Sequence, residues 1–139
     1  PRRKNNSQER RTNFDFKGQN YFVRARDNGK FMEDKYTAVP EFENCQNCSF
    51  YGVYDGHSTD TIAELLKDKL HNYVLESFTQ QNSMHQALLE GFERVDNEAV
   101  KTLKQNTQVG GSTALCSVIK DNIVYTANAG DSQAIIVED

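Results

Sequence analysis

The sequence predicts an α+β fold, with strands gathered into antiparallel sheets and two helices laid on one face. Three observations carry that expectation. Short apolar runs bounded by turn residues precede residue 56, two long stretches with helical periodicity follow, and the last 30 residues place strand, turn and strand in direct succession. A βαβ unit would instead alternate strand with helix. At 139 residues the chain is at most one domain's worth, and 37% hydrophobic residues with 8 Phe and 6 Tyr suffice for a core without Trp.

Taken in order, residues 1–13 crowd Arg2, Arg3, Lys4, Arg10 and Arg11 against a single Glu9, and read as a basic disordered tail or linker. Residues 14–139 are the folded part. Tyr21-Phe22-Val23 reads as a first strand, ended by the turn cluster Asp27-Asn28-Gly29-Lys30. Asp34 to Val39 is a weaker strand stopped by Pro40, and 41–47 is a loop. Residues 49–55 are apolar and aromatic up to the carboxylate, the pattern of a strand buried on both faces. A helix is expected over 59–76, with Thr59 as its N-cap and Ile62, Leu65, Leu66, Leu70 and Tyr73 on one face. After the breaker Gln80-Gln81-Asn82-Ser83, a second helix over 84–104 carries Met84, Leu88, Phe92, Val95, Ala99 and Leu103 on one stripe. Residues 113–119 and 123–129 form a hairpin about Lys120-Asp121-Asn122, and Gly130-Asp131-Ser132 turns into a further strand over 133–137.

Composition excludes several functions. A net charge of −4 and a pI near 5.4 argue against a nucleic-acid binder. A mean hydropathy of −0.76 and the lack of an apolar run near 18 residues give no membrane span, and no signal peptide follows the basic start. The first residue is Pro1, so a processed or excised piece of a longer chain is expected. Three cysteines are too few for a secreted disulfide framework, and Cys45-x-x-Cys48 precedes a strand where a redox motif would open a helix. No second pair follows at zinc-finger spacing. Reduced loop thiols are the reading.

Acidic residues stand at strand ends: Glu33 and Asp34, Asp55, and Asp131. Hard divalent cations prefer such oxygens with several waters retained. Gly56 lets a carbonyl approach an ion without a side chain in the way, and His57 can move a proton near neutral pH. The constellation is a candidate two-metal hydrolytic site. Val109-Gly110-Gly111-Ser112-Thr113 has no Lys and opens no helix, so it is no P-loop.

Four stretches occur together in order: Met32-Glu33-Asp34, Phe50 through His57, Gly111-Ser112-Thr113-Ala114, and Asn128-Ala129-Gly130-Asp131-Ser132. In order and spacing they resemble the protein phosphatase 2C family, the metal-dependent serine/threonine phosphatases, over about residues 19 to 138. The resemblance implies a sandwich of two antiparallel sheets flanked by helices, present here as its N-terminal half. It implies hydrolysis of phosphoserine and phosphothreonine in proteins by a metal-activated water, with two Mn²⁺ or Mg²⁺ ions. By motif, Asp55 is similar to the carboxylate bridging both ions and Gly56 to the carbonyl donor. Glu33 and Asp34 are similar to the acidic pair at the metal, His57 to the general acid, and Asp131 to the aspartate of a weaker third site.

Departures accompany the likeness. Gly29 stands where the family has a phosphate-gripping Arg, leaving Lys30 or Arg26 as phosphate-binding candidates. Ser58-Thr59 replaces two glycines, and Gln133 an arginine. The family's further metal-binding aspartates fall beyond residue 139, so this piece is expected to be inactive or weak alone and to pair or exchange strands with a second copy. Expected partners are phosphoprotein substrates, with no nucleic acid and no membrane, in cytoplasm or nucleus. The rival reading is a phosphatase-like binding module that recruits partners without catalysis.

Overall fold

The computed structural model describes residues 32–42 and 44–138. Strands β1 (Lys35–Val39), β2 (Cys48–Tyr54), β5 (Ala114–Lys120) and β6 (Ile123–Ala129) form one sheet in the order β1-β2-β5-β6, with every neighbour antiparallel. Between β2 and β5 in the chain come a two-residue strand β3 (Gly56–His57), helices α1 (Thr61–Gln81) and α2 (Met84–Asn106), and a two-residue strand β4 (Gly111–Ser112) that pairs with β3. The α+β expectation of antiparallel strands with two helices therefore holds.

Local chemistry accounts for the boundaries. The β5–β6 hairpin turns on Asp121 and Asn122, both at positive φ (49° and 65°), the conformation that matches strand twist in a two-residue loop. Ser83 caps α2 by accepting from the Gln86 N–H, and Asn82 ends α1 in the left-handed region with its N–H donating to the Phe78 carbonyl. The two long helices form a tight hairpin at Gly91: a Cβ there would stand 2.6 Å from Val74 Cγ2.

The core lies between the helices and one face of the sheet. Phe50, Tyr54, Cys116 and Val118 from the sheet meet Ile62, Ala63, Leu66, Leu70 and Val74 of α1, with Met84, Ala87, Leu88 and Val95 of α2 behind. Each fully buried Leu or Val contributes about 1.5–3 kcal/mol. One polar chain crosses this core: the Tyr54 hydroxyl donates to Thr37 Oγ1 (3.2 Å), which donates to the Lys67 carbonyl (2.9 Å). It ties β2 to β1 and both to α1.

Several expectations need correcting. β2 is buried on one face, not two: from Phe50 on, burial alternates, and Val53 is 50% exposed. The helices cover only one side of the sheet, and Tyr36, Val53 and Val124 lie exposed. The first helix starts at Thr61 with Asp60 at its N-cap, not Thr59, and runs to Gln81. Gln80 and Gln81 are adequate helix formers, and the stop is the left-handed Asn82. Residues 133–137 form no strand, with Ile135, Ile136 and Val137 exposed, because no described strand lies beside them. The tail over 1–13, the strand at 21–23 and the turn at 27–30 lie outside the described residues.

Candidate functional site

β2 delivers Asp55 to one end of the sheet, and the backbone there is pinned from both sides. The Asp55 N–H donates to Thr113 Oγ1 (3.1 Å), and the Thr113 N–H donates to the Asp55 carbonyl (2.9 Å). Immediately after, Gly56 and His57 pair with Ser112 and Gly111. Gly56 must be glycine for space: a Cβ would stand 2.6 Å from the Glu33 carbonyl oxygen, so the segment before β1 lies directly over it. That contact brings Glu33 and Asp34 beside Asp55.

Lys35 fixes the same segment from the other side. Its side chain is 12% exposed, and its ammonium pairs with Asp60 (3.1 Å) and Glu64 (2.9 Å) at the start of α1. Asp60 is thereby turned to an ion pair and makes no side-chain cap. Glu64 sits below the ordinary carboxylate range because it accepts from Lys35 and Lys67. Ser58, between the site and the helix, has φ +68°, a left-handed conformation that favours glycine.

The electrostatics concentrate on Asp34. Its carboxyl is raised above the usual range, first by burial, then by the charge of Asp55 and a hydrogen bond to it, and by Glu33; His57 opposes the shift. Two carboxyls within hydrogen-bonding reach, with a third acid near, concentrate negative charge at this sheet end. The exposed His57 has Nδ1 3.0 Å from the Asp55 carbonyl. A carbonyl only accepts, so Nδ1 is the donor and Nε2 is the atom left to hold or release a proton.

Of the residues expected from sequence, Glu33, Asp34, Asp55, Gly56 and His57 come together at this sheet end. Asp131 is exposed in the loop after β6, linked to them through its neighbour Ser132, whose Oγ lies 2.9 Å from Thr113 Oγ1. Arg26 and Lys30, the phosphate-binding candidates, lie outside the described residues. Among the described residues no three His, Cys, Asp or Glu side chains converge as a ready-made cage. A Mg²⁺-like ion needs only one or two carboxylates plus waters, and the repulsion between Asp34 and Asp55 is what such a cation relieves. The donor set fits on that count. Sequence reasoning missed Thr113 and Lys35 as site-builders; the available signals were a hydroxyl pair entering a strand and a lysine directly after the acidic pair. Cys45, Cys48 and Cys116 are free and buried, away from this cluster.

An antiparallel sheet with a helical hairpin on one face has known relatives. The crystal structure of a serine-threonine phosphatase 2C from Toxoplasma gondii superposes with a TM-score of 0.64 at 24% identity, covering 73% of this chain and 39% of that one. The fold is thus of the protein phosphatase 2C type. The family model described as Protein phosphatase 2C matches residues 20–139, and the chain belongs to that family. A Protein phosphatase 2C homolog 2 from Hypocrea jecorina is 36% identical over 115 residues, which is 76% of this chain and 26% of that protein. A probable protein phosphatase 2C from Caenorhabditis elegans is 33% identical over 106 residues, 75% of this chain and 30% of that protein. The chain therefore spans about a fifth to a third of the curated relatives it matches.

Proposed function

We propose that the protein hydrolyses phosphoserine and phosphothreonine in proteins, with Mn²⁺ or Mg²⁺ as cofactor. The observation that supports it most is the Asp34–Asp55 carboxyl pair beside a histidine anchored on Asp55's own carbonyl. Asp55 and Asp34 would hold the ions, with the Gly56 carbonyl and Glu33 alongside and Asp131 at a weaker third position. When bound, the ions supply positive charge to the phosphate oxygens and lower the pKa of a water.

The chain's own residues do the remainder. Thr113 and the Gly56–Glu33 contact hold Asp55 and Asp34 at fixed separation. The Nδ1–H of His57 stays on the Asp55 carbonyl, so Nε2 delivers its proton to the leaving seryl or threonyl oxygen. Because two ions need more anionic ligands than this pair, residues 1–139 by themselves are expected to turn over slowly or not at all. With Tyr36, Val53 and Val124 exposed on the sheet face that no described helix covers, the isolated piece is expected to self-associate, and gel filtration showing a strict monomer would count against that. Three unpaired thiols fit a cytosolic or nuclear setting. No described helix is long and apolar enough to cross a membrane.

The test is Mn²⁺-dependent hydrolysis of a generic phosphate ester by the full-length protein and its Asp55→Ala variant. Turnover in the first and its loss in the second is the expected result. Equal rates, or no turnover in either, would leave the binding-module reading in its place.

A further inference from the structure

The Gly130-Asp131-Ser132 loop is attached to the site by one hydroxyl, that of Ser132, which the mechanism above does not use. Ser132 Oγ lies 2.9 Å from Thr113 Oγ1, and the same Thr113 oxygen accepts the Asp55 N–H at 3.1 Å. Thr113 is 6% exposed, so its hydroxyl has little access to replacement water. The loop also rests on the Thr113 side chain: Gly130 has φ +110°, and a Cβ there would stand 2.8 Å from Thr113 Cγ2. Within the loop, Asn128 Nδ2 donates to the Ser132 carbonyl (2.9 Å) and the Gly130 carbonyl (3.4 Å), which closes it into a fixed shape.

We propose that Ser132 is a positioning residue, acting through Thr113 to hold the Asp55 backbone and to set the loop that bears Asp131 at fixed distance from it. Thr113 Oγ1 has one hydrogen and two acceptor sites. It accepts from Asp55 and shares its remaining capacity with Ser132, so Ser132 decides which way the Thr113 lone pair points. Without Ser132, the Thr113 rotor is released and the Asp55 amide loses a directed acceptor. The consequence for cation binding rests on the reading of Asp55 and Asp131 as metal residues; the backbone consequence does not.

The experiment uses the full-length protein and two variants, Ser132→Ala and Ser132→Thr. In metal-free protein, hydrogen exchange at the Asp55 amide is expected to speed up about threefold to tenfold in Ser132→Ala, the loss of one net hydrogen bond. It should return to the parent rate in Ser132→Thr, which keeps the hydroxyl. By calorimetric titration with Mn²⁺ alone, Ser132→Ala should bind several-fold more weakly and Ser132→Thr like the parent. Unchanged Asp55 exchange in Ser132→Ala, or equal acceleration in both variants, overturns the relay. Altered exchange with unaltered Mn²⁺ affinity overturns its role toward the cation. A parent protein without Mn²⁺-dependent turnover would defeat the phosphatase reading and leave the exchange result standing on its own.

Discussion

Gly56→Ala separates two roles that one glycine could have in this site. Alanine keeps the backbone carbonyl that the family reading assigns to the metal, and removes only the empty space beneath Glu33. The ideal Cβ stands 2.6 Å from the Glu33 carbonyl oxygen and 3.3 Å from Ala63 Cβ, whereas ordinary contact begins near 3.4 Å. The Glu33 main chain must therefore retreat by about 0.8 Å (3.4 − 2.6), since the opposing atom is backbone and cannot rotate away. Overpacking of that kind costs about 1–3 kcal/mol. At roughly 2–4 °C per kcal/mol for a domain of 150–250 residues, a mid-range loss lowers the melting temperature by about 4–8 °C. The same retreat draws Asp34 from Asp55, so Mn²⁺ affinity by calorimetry should fall as well. Scanning calorimetry showing a melting point within 1 °C of the parent, with unchanged Mn²⁺ binding, would refute the claim that Gly56 is there for the Glu33 crossing.

Other perturbations give graded outcomes. Ser58→Gly relieves a left-handed residue at φ +68° and should raise stability by about 1 kcal/mol in urea titration, the steric gain exceeding the unfolded-state entropy that glycine adds. Lys35→Met removes both ion pairs at the start of α1, and should cost about 1 kcal/mol near neutral pH. Because Glu64 is lowered in the fold, its contribution is complete above the ordinary value of 4.5 and is lost as pH falls through the native value. The gap between parent and Lys35→Met should therefore close in acid, and a gap that widened below pH 4 would contradict the pairing. Burial pushes the Cys48 and Cys116 thiols up to about 12. A disulfide reagent at pH 8 should accordingly leave Cys48 and Cys116 unmodified in the native protein and reach all three cysteines in denaturant.

How far the sequence could be read depended on how local each feature's cause is. The second helix was legible because its stripe of Met84, Leu88 and Val95 recurs within a few turns, whereas Ser83, read as part of a breaker, is its cap. The β5–β6 hairpin was legible because Asp121 and Asn122 tolerate positive φ. The β3–β4 ladder was not, since two residues have no periodicity and its pairing of Gly56 with Ser112 is purely tertiary. The run at 135–137 has strand composition but, among the described residues, no neighbour to pair with, so composition alone misled. An apolar run such as 49–54 fits burial on either one face or two, and only the placement of the helices decides it. The acids and the histidine could be found from their motifs, whereas the Thr113 contact that holds Asp55 spans 58 residues, and the hydroxyl pair entering the strand does not tell which backbone it holds.

The site is built from elements that each have another task in the fold, and this explains why a small sheet end can hold clustered carboxyls. Asp34 and Asp55 repel one another in a partly desolvated position, an arrangement that would drift apart on flexible loops. Here both carboxyl-bearing segments are tied to the fold by contacts of their own backbone and neighbours. Asp55 is held by two hydrogen bonds to Thr113 at the start of β5, Glu33 lies over Gly56, and Lys35 anchors the segment's other end on α1. The strain of bringing like charges together is thus borne by the sheet and the first helix. A cation that neutralised the pair would release it, so divalent metal should stabilise the fold as well as serve chemistry. That stabilisation is expected as a rise in melting temperature with Mn²⁺ that Asp55→Ala abolishes, and an equal rise in the variant would refute it.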